Sequence, residues 1–214
     1  VKEVHHRIKN NLQGVAGLLQ QIAARKPEVA AVISEVVGQV QAIAQVYGLQ
    51  VGAGGPLHLK NVIEAISNSV QRTFGRPISL TFEGEHVSEW LLPEAESIPI
   101  ALSLNELLTN AHKHGNHATP LVCHVHSVES QVSIDIHNQG KLPEGFNLAR
   151  VPGGVSGLGL MRALLPRRSS KFNLSQEGEH VLTHIELTPP GIHLPPTPHV
   201  SGAASGHQIA LWPQ

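Results

Sequence analysis

The chain is poor in several residue types. Of its 214 residues one is cysteine, one is methionine and 3% are aromatic. A single thiol, Cys123, excludes an internal disulfide framework and fits a reducing compartment. With so few aromatic rings, a core must be built from aliphatic side chains, for which a hydrophobic content of 41% suffices. Charge of one sign is also missing, since 15 basic and 16 acidic residues leave a net charge of −1. That balance excludes a general electrostatic attraction to nucleic acid or to an anionic membrane surface. We read no signal peptide and no apolar run long enough to span a bilayer. The first residue, Val1, already lies in a helical pattern, so a piece of a longer protein is expected.

Histidine, by contrast, is abundant, with 15 residues. A metal site is the first idea to test. Cys123, His124 and His126 fall in a segment that reads as a strand, so the cysteine points away from both histidines. Two imidazoles on one face fall short of a closed tetrahedral site. His112, His114 and His117 gather at a helix end, where imidazoles commonly cap carbonyls.

Apolar residues at Val4, Ile8, Leu12, Val15, Leu19 and Ile22 predict an amphipathic helix over residues 2–25, broken at Lys26-Pro27. The same period continues through Val29, Val32, Ile33, Val36, Val40, Ile43 and Val46, ending near Gly48 to Gly55. Two helices with a short connection form an antiparallel hairpin. A lone hairpin cannot bury its stripe, so association into a four-helix bundle is expected.

Beyond Gly54-Gly55-Pro56 the pattern changes. A helix is predicted over 58–74 and a strand over 78–82. A further helix, with Pro99 near its start, runs to about Lys113. Strands at 121–128 and 131–137 precede a Gly-rich loop, a helix from Gly157, and strands at 172–176 and 181–187. The fold class is α+β: an N-terminal helical hairpin, then an α/β sandwich of mixed sheet covered by helices. The expected domains are residues 1–55, residues 56–188, and a Pro/Gly-rich, extended or poorly ordered tail over 189–214.

On the first helix His6 falls opposite the apolar stripe, beside Glu3 and Asn10, whereas His5 lies near its edge. An imidazole near pH 7 attacks through one ring nitrogen when the proton on the other is held. Glu3 and Asn10 can reach the His6 ring, and Arg7 and Lys9 can offset charge on a transferring phosphate. On the helix before Gly115, Ser103, Glu106, Asn110 and Lys113 share a polar face. One Asn oxygen plus phosphate oxygens would suffice for Mg²⁺, which keeps several waters. Glu106 could orient a metal-bound water, and Lys113 or His114 could meet phosphate. Gly153-Gly154-Val155-Ser156-Gly157-Leu158-Gly159-Leu160 leads into a helix, and backbone N–H groups at such a turn can cradle phosphates. It is neither a P-loop nor a dinucleotide fingerprint.

Taken in order, these segments resemble a sensor histidine kinase core. Residues 1–50 resemble the dimerisation and phosphoacceptor hairpin of the subclass with a His-Arg-x-x-Asn box, here His6-Arg7-Ile8-Lys9-Asn10. Residues 58–188 resemble the ATPase domain shared with gyrase, Hsp90 and MutL (the GHKL type). Asn105-Glu106-Leu107-Leu108-Thr109-Asn110-Ala111-His112-Lys113-His114 is similar to its N-box, and Gly157-Leu158-Gly159-Leu160 to its second glycine box.

The resemblance implies that His6 is phosphorylated from ATP, that Asn110 is the Mg²⁺ ligand, and that Glu106, Arg7 and Asn10 assist. It implies nucleotide contacts from Asn110, Lys113, His114, Asn138, Gly140, Gly157, Leu158, Gly159 and Leu160. It further implies a bacterial cytoplasmic homodimer that passes its phosphoryl group to an aspartate of a response-regulator receiver domain. An upstream sensor domain lies outside the chain; nucleic acid and a direct membrane segment are not expected. A hinge around Val51 to Leu59 would move between ATP binding and transfer. One departure is plain: Asn138-Gln139-Gly140-Lys141 stands where the family has Asp-x-Gly-x-Gly. Asn138 can still accept from the adenine amino group, but without charge the bond is weaker by about 1 kcal/mol. Two other readings stay open: a degenerate kinase-like scaffold without turnover, and an ATPase or serine kinase of the same superfamily.

Overall fold

In the computed structural model, which describes residues 1–53, 55–155 and 157–196, the first segment is a helical hairpin. Helix α1 (Lys2–Arg25) and helix α2 (Ala30–Gly52) are joined by a 3₁₀ turn at Pro27–Val29. Proline sits at the start of that turn, where its missing N–H costs nothing. Ala16 is buried between the helices, but Val4, Val15, Leu18, Ile22, Val32 and Val36 stay exposed. The apolar stripe is wider than one hairpin can cover.

One sequence expectation needs correction here. Helical residues 27–52 reach a mean hydropathy of 1.5, so by length and composition they could cross a membrane. Valine and alanine dominate the segment, and Glu28 and Glu35 are its only charged residues. Its glutamines add no charge, so the helix stays apolar on average although part of its surface packs against α1 and the helix at Glu94–His114.

The second segment is a sandwich. Strands β2 (Ile78–Gly84), β4 (Leu121–Val128), β5 (Gln131–Gln139), β6 (Ser170–Glu177) and β7 (His180–Leu187) form a sheet in the order β2-β4-β5-β7-β6. The β2–β4 pair is parallel and the other pairs are antiparallel. Helices α3 (Leu59–Phe74), α4 (Glu94–His114) and α5 (Gly157–Leu164) complete the layer, with 3₁₀ turn Leu148–Arg150 before α5. Two short strands not predicted from sequence, β1 (Leu57–His58) and β3 (Leu91–Leu92), pair antiparallel beside the entry to α3.

Strand alternation sorts the two faces. Leu121, Cys123 and Val125 on β4, Val132, Ile134 and Ile136 on β5, and Ile185 and Leu187 on β7 point to the helices. Against them pack Val62, Ile63 and Ile66 of α3 and Ile100, Leu104, Leu107 and Leu108 of α4. Burial of each such side chain contributes roughly 1.5–3 kcal/mol, so the aliphatic content is enough for this core. Trp90 is buried with its indole N–H donated to Ser127 Oγ at 2.8 Å. Burial pushes the Cys123 thiol up to about 12, with the nearby Asp135 charge adding to the effect. Cys123 is a core residue, and His124 and His126 are exposed on the opposite face.

Several boundaries differ from the sequence reading. α4 begins at Glu94, so Pro99 stands inside the helix and not at its start. It removes one backbone donor, and Ser103 Oγ donates to the Pro99 carbonyl at 2.8 Å. The carbonyls at the end of α4 are met by an arginine instead of imidazoles: Arg76 Nη1 donates to Ala111 at 3.4 Å and its Nε to Thr119 at 2.7 Å. His112 instead stacks on Phe74, with centroids 4.2 Å apart, and meets the His117 ring edge-on. At the C-terminal side the chain does not leave at Pro189. His193 forms a bridge with Leu91, and Ile192 is fully buried. Residues 197–214, the rest of the expected tail, lie outside the described residues. Leu57 and Leu59 are buried too, so only the short link after Gly52 is left of the expected hinge.

Candidate active site

Strands β5 and β7, helix α4, residues from Lys141 to Gly154 and the start of α5 enclose a cavity of about 560 Å³. Its wall is mostly apolar, from Leu107, Ala111, Leu142, Phe146, Leu174 and Val181. Asn110, His114, Asn138, Lys141 and Thr183 supply the polar side chains, and Gly153 and Gly154 bare backbone. Asn138 faces inward at the end of β5, where the strand's alternation buries every second residue; it is 4% exposed.

The loop over the cavity is held by specific contacts. Gln176 of β6 accepts from the Leu142 amide at 2.8 Å and donates to the Gly140 and His180 carbonyls. Arg162 of α5 donates to the Val151 carbonyl at 2.6 Å and to Leu148 at 3.2 Å. Asn147 caps the 3₁₀ turn by accepting from Ala149 N. Lys141 pairs with Glu179 at 3.4 Å with both side chains largely exposed, a contact worth little to stability.

The sequence-derived residues fall into three groups. Asn110, His114, Asn138, Leu158 and Gly159 line the cavity. Gly140 lies beside Asn138, and half-buried Leu160 stands on α5 away from the lining. Glu106, Lys113 and the Gly157 amide are engaged elsewhere. Glu106 is buried and accepts from Gly157 N at 2.6 Å and from Gln39 Nε2 at 3.2 Å. Gln39, on α2, also donates to the Val155 carbonyl at 3.1 Å. Lys113 pairs with Glu35 of α2 at 2.5 Å. The expected single polar face of α4 is therefore divided: Asn110 to the cavity, Glu106 under the lid, Lys113 to the hairpin.

His6 is exposed on α1, as a phosphoryl acceptor must be. The Asn10 carboxamide approaches its Nδ1 at 3.4 Å. Glu3 is taken by Arg7 at 2.9 Å and does not hold the ring. His5, half-buried, sits against Tyr47 with ring centroids 5.6 Å apart, so it is part of the hairpin packing. Lys9 lies along α2 beside Gly48.

Sequence reasoning missed Gln39, Glu35, Gln176 and Thr183. For Thr183 a signal existed: it is the one polar residue among Val181, Ile185 and Leu187 on the inward face of β7. Gln39 and Glu35 carried none, because their partners are 67 and 78 residues away.

Comparison with known proteins agrees with this arrangement. The HisKA_2 family model, described as Histidine kinase, matches residues 3–74. A sensor histidine kinase PdtaS of Mycolicibacterium smegmatis is 30% identical over 176 residues, which is 77% of this chain and 34% of that protein. PdtaS of Mycobacterium tuberculosis is 28% identical over the same length. The chain thus spans about a third of the length of the curated relatives it matches. Among solved structures, the histidine kinase domain of the Erythrobacter litoralis EL346 blue-light activated kinase superposes with a TM-score of 0.61 at 20% identity, covering 87% of this chain and 89% of that one. Histidine kinase ThkA in complex with response regulator protein TrrA gives 0.53 at 14% identity, covering 87% and 60%. Residues 3–74 match the histidine kinase family, and the chain as a whole has the α+β fold seen in solved histidine kinase structures.

Proposed function

We propose that the chain is the cytoplasmic kinase core of a bacterial two-component sensor, which phosphorylates His6 from ATP and passes the group to a response-regulator aspartate. Residues 1–55 act as dimerisation and acceptor hairpin, and residues 56–188, with the packed continuation through His193, as ATPase domain. The observation that carries this is one chain combining an exposed His6 in a His-Arg-x-x-Asn box with a cavity that holds Asn110, His114 and Asn138. The exposed valines and leucines of the hairpin support a homodimer, which would complete a four-helix bundle.

The residues present fit a nucleotide and its metal. An apolar slot with an unengaged carboxamide suits a base, and a carboxamide oxygen is a hard donor of the kind Mg²⁺ accepts. Asn110 would hold the ion, which would neutralise charge on the phosphates. His6 attacks the γ-phosphorus in line through Nε2. The N–P bond forms, the bond to the β,γ-bridging oxygen breaks, and ADP departs. Asn10 Nδ2 faces Nδ1 at 3.4 Å, and a half-turn of that carboxamide would bring its oxygen to the ring, hold the proton on Nδ1 and leave the Nε2 lone pair free. Arg7 supplies positive charge near the transferring group. Lys113 reaches the phosphates only after its contact with Glu35 opens, and Glu106 and the Gly157 amide become available, the first to a metal-bound water, only after they part from each other and from Gln39. Catalysis then rests on positioning and charge stabilisation.

A second reading, a scaffold that binds partners without turnover, draws on those same closed contacts and on the uncharged Asn138. Autophosphorylation with γ-labelled ATP and Mg²⁺ separates the two. Acid-labile label that survives in His5→Ala and disappears in His6→Ala is the expected result. Absence of label from the folded native chain at saturating ATP would favour the scaffold.

A further inference from the structure

The wall of the cavity is unusual in what it does not contain. Among the described residues lining it there is no aspartate and no glutamate. Every polar side chain there either donates or can both donate and accept: Lys141, His114, Asn110, Asn138 and Thr183. Asn138 and Thr183 are the most deeply placed of these, each 4% exposed, and among the described residues no hydrogen bond to the Asn138 carboxamide occurs. The carboxamide faces the cavity with its hydrogen-bonding groups unengaged, so a ligand there can complete the pairing.

Room for that amide is kept by two glycines. A Cβ on Gly115 would come within 3.1 Å of Asn138 Nδ2, and one on Gly140 within 3.3 Å. Neither glycine offers a side-chain group that would hold the carboxamide in one orientation. Rotation by a half-turn exchanges its oxygen and nitrogen in nearly the same volume. Thr183, on the neighbouring strand, carries a hydroxyl that likewise turns to donate or accept.

Purine bases differ at position 6 and at N1 in the same way. A 6-amino purine presents a donor and then an acceptor, whereas a 6-oxo purine presents an acceptor and then a donor. A carboxylate only accepts, so it pairs with the first and repels the carbonyl of the second. Asn138 pairs with either by turning over. Resting on the nucleotide-site reading above, we propose that this cavity binds 6-oxopurine nucleoside triphosphates about as well as ATP, with Asn138 as the residue that removes the discrimination.

The test is equilibrium binding of Mg-ATP and Mg-ITP to the full chain by titration calorimetry. Inosine differs from adenosine only at N1 and position 6, so no 2-amino group complicates the comparison. The native chain is expected to bind the two within about threefold, because each base finds one complementary carboxamide orientation. Asn138→Asp is expected to shift the ratio toward ATP by about tenfold or more, since its acceptor-only group leaves the 6-oxo group unpaired. The native ratio needs no variant, so the proposal stands or falls even if Asn138→Asp is poorly folded. Binding of ATP with ITP rejected tenfold would overturn this inference and leave the nucleotide reading intact. Binding of neither by the folded native chain would overturn both.

Discussion

Glu106 Oε2 accepts the backbone N–H of Gly157 at 2.6 Å, which ties the middle of α4 to the first residue of α5. A carboxylate at a helix N-terminus is favourable because it meets unpaired N–H groups and the positive end of the helix dipole. The other carboxylate oxygen takes Gln39 of the hairpin, which itself reaches the Val155 carbonyl. The loop over the cavity, α4 and the hairpin thus meet at one side chain.

Removing Gln39 should loosen that junction without disturbing the core. Gln39→Ala deletes two hydrogen bonds, a loss of about 1–2 kcal/mol in lid closure by the usual worth of such bonds. Hydrogen exchange at the amides of α5 should then quicken by roughly tenfold, while protection of β5 and β7 stays unchanged. Exchange equal to that of the native chain would show that Gln39 does not hold the lid.

Arg76 is expected to matter for stability far more than a surface arginine. It is 5% exposed, donates to the Thr119 and Ala111 carbonyls, and has its pKa lowered by burial. Arg76→Ala leaves those carbonyls unpaired and should cost about 2–4 kcal/mol. A urea titration followed by circular dichroism measures it; a change below roughly 1 kcal/mol would contradict the role assigned.

The outer sheet face should make stability depend on pH. Burial lowers the His184 pKa, but hydrogen bonds and charge from Asp135, 2.5 Å away, and from Glu186, 3.4 Å away, outweigh it, and the net shift is upward. A histidine whose folded pKa is raised adds stability that is fully present below its unfolded value near 6.5 and is lost as pH rises through the folded value. The native chain should therefore lose stability over the range in which pH rises from about 6.5 through the raised folded value, and His184→Gln should flatten that fall. Parallel melting curves for both proteins across that range would refute it.

Much of the fold was legible before the structure. The 3–4 spacing from Val4 to Ile22 and the alternation through β4, β5 and β7 reflect how a helix or a half-buried strand must present its side chains to one core. Cys123 could be turned away from His124 on the same ground. Less of the site was legible. Asn110 stood out on the polar face of its helix and Asn138 through the family resemblance, and both reach the cavity. Glu106 and Lys113 share the helical face of Asn110, yet they face the lid and the hairpin, because α4 is buried on both sides. Pro99 and His193 show the same limit: local rules put one at a helix start and the other in a tail, and packing decided otherwise.

The amino-acid sequence by itself determined the two helices of the hairpin, the outward setting of His6, the five long strands and the Asn-bearing helix, since each follows from periodicity within one segment. Only the tertiary structure decided that Gln39 and Glu35 grip α4, that Thr183 joins Asn138 at one cavity, and that no carboxylate lines this cavity among the described residues. Those facts depend on contacts between segments dozens of residues apart, whose geometry no local spacing encodes.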